Sequence, residues 1–200
     1  MIDFSLNEAE MLAVKVARGI GYSWGLAEDV GRAARLLARR ECNWAEALHA
    51  LVQDGSAFAA PSLERISHWR RGESDIVAST PLCPIRTAAA LADGVRLLQG
   101  MELRLRNVGM PIWLEAMLDA GTQRTFTLQP HPAATLRASD VTVATVTATA
   151  TGAGPSASAR RAQIDSETLA ALLAVAARTY VPESARSRSR GAGGGRVDDE

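Results

Sequence analysis

The chain has 200 residues, 47% of them apolar and 22% charged, the balance of one folded domain with a real core rather than of a disordered segment. Its 22 lysines and arginines equal its 22 aspartates and glutamates, so no overall field draws in nucleic acid or an anionic membrane, and either role would need a local patch. Two cysteines, Cys42 and Cys83, are too few for the disulfide framework of a small secreted domain.

The opening MIDFSLNEAEML carries acidic residues and no basic-then-apolar leader, and no later run approaches about 18 consecutive apolar residues. We therefore expect a cytoplasmic protein without a membrane span. Lys15 is the single lysine; this arginine bias, with abundant alanine, reads as the coding preference of a GC-rich bacterial genome. Ser5-Leu6-Asn7-Glu8 fits a capping box, in which the serine oxygen takes the Glu8 amide and the glutamate reaches back. Behind it Ala9, Leu12, Ala13 and Val16 make an apolar stripe at helical spacing that ends at Gly19 and Gly21. Ser23 is the expected cap of a second helix, buried through Leu26, Val30, Ala33, Ala34 and Leu37 and running to about Arg40, with Glu28 and Asp29 near its positive end. A third helix is expected from about Asn43 to Val52, with Trp44, Leu48 and Leu51 inward.

From 55 to 86 proline, glycine and short apolar pieces read as connection, with a strand at Asp75–Ala78, followed by a short helix between Thr87 and Leu98 that Gly94 weakens. The period then becomes two. Leu103 and Leu105 alternate with charged residues; after a turn at Gly109–Pro111, Ile112, Leu114, Ala116 and Leu118 alternate with Trp113, Glu115, Met117 and Asp119; Phe126 and Leu128 alternate with threonines. This predicts an antiparallel meander. Val141–Ala150 predicts a further strand whose valines change parity between Val143 and Val146, through a bulge or through burial on both faces. Asp165 or Ser166 caps a last helix with Leu169, Leu172, Leu173 and Ala176 on one face, stopped by Pro182. The expectation is an α+β protein: N-terminal helices, an antiparallel β-meander and a C-terminal helix in one domain over residues 1–183, then a Gly/Ser/Arg-rich tail over 184–200.

Two stretches stand out as candidate sites. GYSWGLAED, residues 21–29, sets two glycines, two aromatics and a serine at a helix–helix junction. Amides at a helix start seat an anion, and Tyr22, Ser23 and Trp24 would line a pocket above it; the plainer reading is a tight corner with its aromatics in the core. In the tail, GAGGG offers backbone amides for an anion nest, and Arg186, Arg188, Arg190 and Arg196 add positive charge. The tail lacks the lysine and the strand–loop–helix setting of a P-loop, and plain disorder is its alternative. Its RSRSR run, residues 186–190, suggests RNA contact, but the DDE that follows cancels part of the charge and no aromatic is interleaved for base stacking.

Other chemistry is thinly supported. Cys83, between Pro81 and Pro84, would need a base to become a nucleophile, and His49, His68 and His131 are distant in sequence; a small buried hydrophobe is the simpler role. The histidines have no ligand spacing and two cysteines make no zinc knuckle, so no metal and no cofactor is expected. Glu8, Glu10, Glu28 and Asp29 serve the helix dipole more simply than they serve acid–base catalysis.

SLNEAEMLAVKVARGIGYSWGLAEDVGRAARLLARR at the start and ARTYVPESARSRSRGAGGGRVDDE at the end resemble the bacterial family called domain of unknown function 3726. The resemblance is specific over about residues 4–40 and 177–200 and diffuse between them. Family members combine an SLNE…GYxWGLAEE segment with a TYVP…SR…GAGAG…DND tail; here Gly194 replaces the alanine, and Asp199-Glu200 stands where asparagine and aspartate usually end the chain. The family supplies no activity, but it implies that the glycine-rich tail is a family feature. One expectation is then a tail folded over the helix corner at Tyr22, Ser23 and Trp24. Arg186 and Arg190 would pair there with Glu28 or Asp29, or clamp a substrate carboxylate. Function then divides two ways. One is a small-molecule enzyme, or a subunit of one, acting on an amino or organic acid, with a small anionic ligand as partner. The other is a non-catalytic binding or assembly module whose tail docks on another subunit, a homo-oligomer included; an open meander edge and an alanine-rich helical surface suit it.

Overall fold

The computed structural model describes residues 1–55, 58, 75–76, 80–94, 102–121, 125–129, 137, 139–146 and 159–180. Its first helix, α1 (Leu6–Gly19), starts on the expected capping box. The Ser5 hydroxyl accepts from the Glu8 amide at 3.1 Å, and the Glu8 carboxylate accepts from the Ser5 amide at 2.7 Å. Helix α2 (Trp24–Arg39) follows; Ser23 holds its N-cap position in extended backbone without a side-chain bond to the helix. The facing stripes are mostly alanine and valine, which lets the two helices pack closely. Helix α3 (Trp44–Asp54) buries Trp44, Leu48 and Leu51 as expected.

The N-terminal helices and an antiparallel set of strands make this an α+β chain. Two strands were not foreseen. β1 (Ile2–Ser5) runs directly into the α1 cap and pairs antiparallel with β6 (Arg161–Ile164), Ile2 opposite Ile164 and Phe4 opposite Ala162. The other sheet contains β2 (Asp75–Ile76), β3 (Glu102–Val108), β4 (Thr125–Gln129) and β5 (Ser139–Val146), in the order β2-β3-β5-β4. β2, at the start of the strand expected over Asp75–Ala78, lies parallel to β3; residues 77–78 lie outside the described residues. β5 is antiparallel to both neighbours, with Leu103 opposite Val143 and Leu105 opposite Val141. The irregularity sought in β5 falls in β3 instead, where the register shifts between Leu105 and Val108.

The largest correction concerns residues 111–121. The alternation there predicts a strand, yet Pro111–Gly121 is a helix, α5. Its buried residues include Ile112, Leu114 and Leu118 from one set and Trp113 and Met117 from the other. The pattern was therefore not apolar against polar but nearly continuous apolar, which fits a helix covered all round, and Pro111 suits a first helical turn. α5 sits centrally, against α2, against α4 (Pro84–Asp93) and against β4. The Trp113 indole donates to the Ala47 carbonyl of α3 at 3.0 Å.

Two boundaries also move. α4 begins three residues before the expected Thr87, because Pro84 enters its first turn, and it ends at Gly94. In the last helix, α6 (Ser166–Ala176), Asp165 is the cap, accepting from the Thr168 amide at 2.8 Å. The inward face is Leu172, Val175 and Ala176; Leu173, expected inward, is 49% exposed, and a short 3-10 turn, Ala177–Thr179, continues the chain. The tail over 184–200 lies outside the described residues.

Candidate functional site

The α1–α2 corner is fixed by its backbone. The Ile20, Gly21 and Tyr22 amides donate to the Val16, Arg18 and Ala17 carbonyls, each at 3.0 Å. Gly21 takes φ +96°, a left-handed conformation that glycine adopts without strain. Gly19 lies so close to α6 that an added Cβ would overlap the Val175 carbonyl. The corner thus turns sharply and drives Tyr22 inward, where it is 6% exposed.

Cys83 meets it from the other side. The Leu82 amide donates to the Asn107 carbonyl at 2.8 Å and the Leu82 carbonyl accepts from Gly109 at 2.9 Å, which pins this segment to the end of β3. Cys83 is the N-cap of α4, buried at 2%, and its sulfur lies 3.4 Å from the Tyr22 hydroxyl, either atom able to donate. The Arg86 guanidinium, in the first turn of α4, lies 5.8 Å from the Tyr22 ring centroid. Burial first, then Cys83, pushes the Tyr22 hydroxyl well above the ordinary tyrosine range, so it stays a neutral donor at physiological pH.

These groups line a cleft of about 840 Å³. Gly19, Ile20 and Gly21 form its rim at the corner; Leu51, Val52 and Phe58 give an apolar wall; Cys83 and Tyr22 are joined by Arg86 and by Arg178 from the 3-10 turn. Neither Arg86 nor Arg178 has an ion pair among the described residues, and no acidic side chain is among the described residues lining the cleft. Two unpaired guanidiniums beside an apolar wall suit the carboxylate of a small organic molecule.

Of the residues singled out from sequence, Tyr22 lines this cleft. Ser23, Trp24 and Glu28 are exposed and lie outside its lining; Trp24, 65% exposed, is covered on one face by the Arg18 guanidinium at 4.5 Å, and Arg18 also donates to the Tyr22 carbonyl at 2.6 Å. Asp29 pairs with Arg32 within α2. Arg186 and Arg190 lie outside the described residues. Sequence reasoning missed Arg86 and Arg178; Cys83, read most simply as a small buried hydrophobe, is buried as expected and also borders the cleft. The signal was Pro84: as a helix-opening proline it sets Cys83 at the cap and Arg86 in the first turn.

A second cleft, of about 630 Å³, lies between β6 and the α2–α3 junction. It mixes charges that already answer one another, Arg161 lying 3.4 Å from Asp3. Cys42 borders it, its thiol pushed up mainly by burial, and so does Trp44, whose buried indole nitrogen has no hydrogen-bond partner among the described residues. No group of three metal-ligating side chains occurs among the described residues, and none of their helices is long and apolar enough to cross a membrane.

Residues 4–94 match the model of a family described as "Protein of unknown function (DUF3726)". That span runs from the α1 cap to the end of α4 and includes every described lining residue of the larger cleft except Arg178. No curated protein and no solved structure matches the chain. Over residues 4–94 the chain resembles the DUF3726 family, the family to which its SLNE and GYSWGLAED motifs point; the similarity drawn for residues 177–200 lies beyond that match.

Proposed function

We propose that this protein binds a small organic acid in the cleft at the α1–α2 corner and works as an enzyme, or enzyme subunit, of organic-acid metabolism in the bacterial cytoplasm. The observation that carries the reading is the convergence of Arg86 and Arg178, neither ion-paired among the described residues, on one cleft with an apolar wall. Two like charges facing one cleft repel each other, and a bound carboxylate offsets that repulsion. The tail also fits this reading. Arg178 lies on the cleft and Tyr180 ends the described C-terminal segment, so the residues that carry Arg186 and Arg190 follow directly from the rim. At about 3.3–3.6 Å per extended residue they have ample reach to close over a ligand.

A thermal-shift screen of small carboxylates and phosphorylated metabolites tests this, since a ligand of the native state raises the transition temperature. Carboxylates should stabilise the full chain. Deleting residues 184–200 should abolish the ligand-induced shift while leaving the unliganded transition nearly unchanged; equal shifts with and without the tail would remove the tail from the site.

The exposed Trp24 favours the second reading, an assembly module, because large aromatics anchor subunit contacts. Size-exclusion of full-length, tail-deleted and Trp24→Ala chains separates the two: a lost oligomer supports assembly, and an unchanged elution with lost ligand binding supports the organic-acid cleft.

A further inference from the structure

Gly19 and Gly21 line the larger cleft, and a glycine has only backbone to present there. The end of α1 closes as a Schellman turn. The Gly21 amide donates to the Arg18 carbonyl and the Tyr22 amide to the Ala17 carbonyl, each at 3.0 Å, with Gly21 at φ +96°. That closure leaves the carbonyls of Gly19, Ile20 and Gly21 without a hydrogen-bond partner among the described residues. They stand at the C-terminal end of a 14-residue helix, where the backbone dipole is negative and a cation is favoured. Arg18, the basic side chain of that last turn, does not answer them. Its guanidinium donates to the Tyr22 carbonyl at 2.6 Å and lies 4.5 Å from the Trp24 ring centroid, and Arg18 is not among the described residues lining the cleft.

The cleft therefore joins a rim of open backbone acceptors to two guanidiniums and an apolar wall. We infer that this site, on the reading that it binds an organic acid, takes α-amino acids with an apolar side chain. The ammonium group lies on the carbonyls that end α1, the carboxylate on Arg86 and Arg178, and the side chain on Leu51, Val52 and Phe58. An ammonium offers three N–H donors and accepts nothing, so it matches a set of open carbonyls, and its charge strengthens each bond. A carboxylate without that group leaves the rim carbonyls to water and gains from the arginines alone.

The test is calorimetric titration of the full chain with phenylalanine, 3-phenyllactate and 3-phenylpropionate, which differ only in carrying an ammonium, a hydroxyl or a hydrogen on the α-carbon. Repeating it with Arg86→Gln, an exposed position whose replacement leaves the core intact, separates this inference from the reading beneath it. The expected result is phenylalanine bound at least about tenfold more tightly than 3-phenylpropionate, 3-phenyllactate between them, and all three weakened in the variant. Phenylalanine bound no more tightly than 3-phenylpropionate, with both weakened by Arg86→Gln, would overturn the ammonium seat and leave the anion cleft standing. Binding that is indifferent to Arg86, or no binding of any of the three, would overturn both.

Discussion

The Tyr22 hydroxyl and the Cys83 sulfur, 61 residues apart in the chain, lie 3.4 Å from each other in the protein interior. The contact ties the α1–α2 corner to the start of α4, and both residues line the larger cleft. Deprotonation would bury a phenolate beside the thiol, so the folded protein holds the proton well above the ordinary value of 10.0. With the folded pKa raised, the unfolded chain loses its proton first. Stability from this group is therefore complete below pH 10 and declines as the pH rises beyond it. Tyr22→Phe should cost about 1 kcal/mol at neutral pH through the lost hydrogen bond, and it should flatten the alkaline fall in thermal transition temperature. An alkaline limb identical to that of the parent chain would refute the buried pair.

At the other end of the pH scale the α1 cap acts with opposite sign. The Ser5 amide, first among the causes, holds the Glu8 carboxyl below its ordinary value of 4.5. Its contribution is present above pH 4.5 and is lost as the pH falls through the lowered folded value. Glu8→Gln should make acid unfolding less steep. Ser5→Ala should cost about 1 kcal/mol at any pH where the cap is formed. Denaturant titrations at neutral and acidic pH check both.

Gly19 is where α1 and α6 approach most tightly among the described glycines. Gly19→Ala would force a methyl group into the Val175 carbonyl, and backbone cannot step aside as a flexible side chain would. We expect a loss of about 1–3 kcal/mol, although alanine is the better helix former. Because Gly19 also borders the cleft, the same variant should weaken carboxylate binding. Unchanged stability would contradict the close approach.

Ligand binding should shield Cys83, which lies against Tyr22 on the cleft. In a Cys42→Ser background, so that Cys83 is the single thiol, alkylation by iodoacetamide should slow when 3-phenylpropionate is present. Labelling at one rate with and without the acid would place the ligand elsewhere.

The N-terminal third was legible because its signals are local. Ser5 and Glu8 cap each other within one turn, and the apolar spacing through Val16 and Leu37 repeats with the helix. Residues 111–121 failed because Trp113 and Met117 were assigned to a solvent face while the fold buries them, and burial on all sides erases the contrast that separates helix from strand. The β1–β6 pairing was beyond reach: Ile2 and Ile164 meet only in the tertiary structure, and four-residue strands leave too short a period to read. The site divides along the same line. Tyr22 sat in an unusual motif and lines the larger cleft. Arg86 and Arg178 sit in ordinary helical surroundings and become notable only when α4 and the turn after α6 face one cleft.

The central claim is that Arg86 and Arg178 together hold a small carboxylate. Titration of 3-phenylpropionate into the parent chain and into the Arg86→Gln/Arg178→Gln double variant, with thermal transitions recorded for both, addresses it most directly. The account predicts saturable one-site binding in the parent and none in the variant, at matching transition temperatures. Binding of equal affinity in both proteins would contradict it.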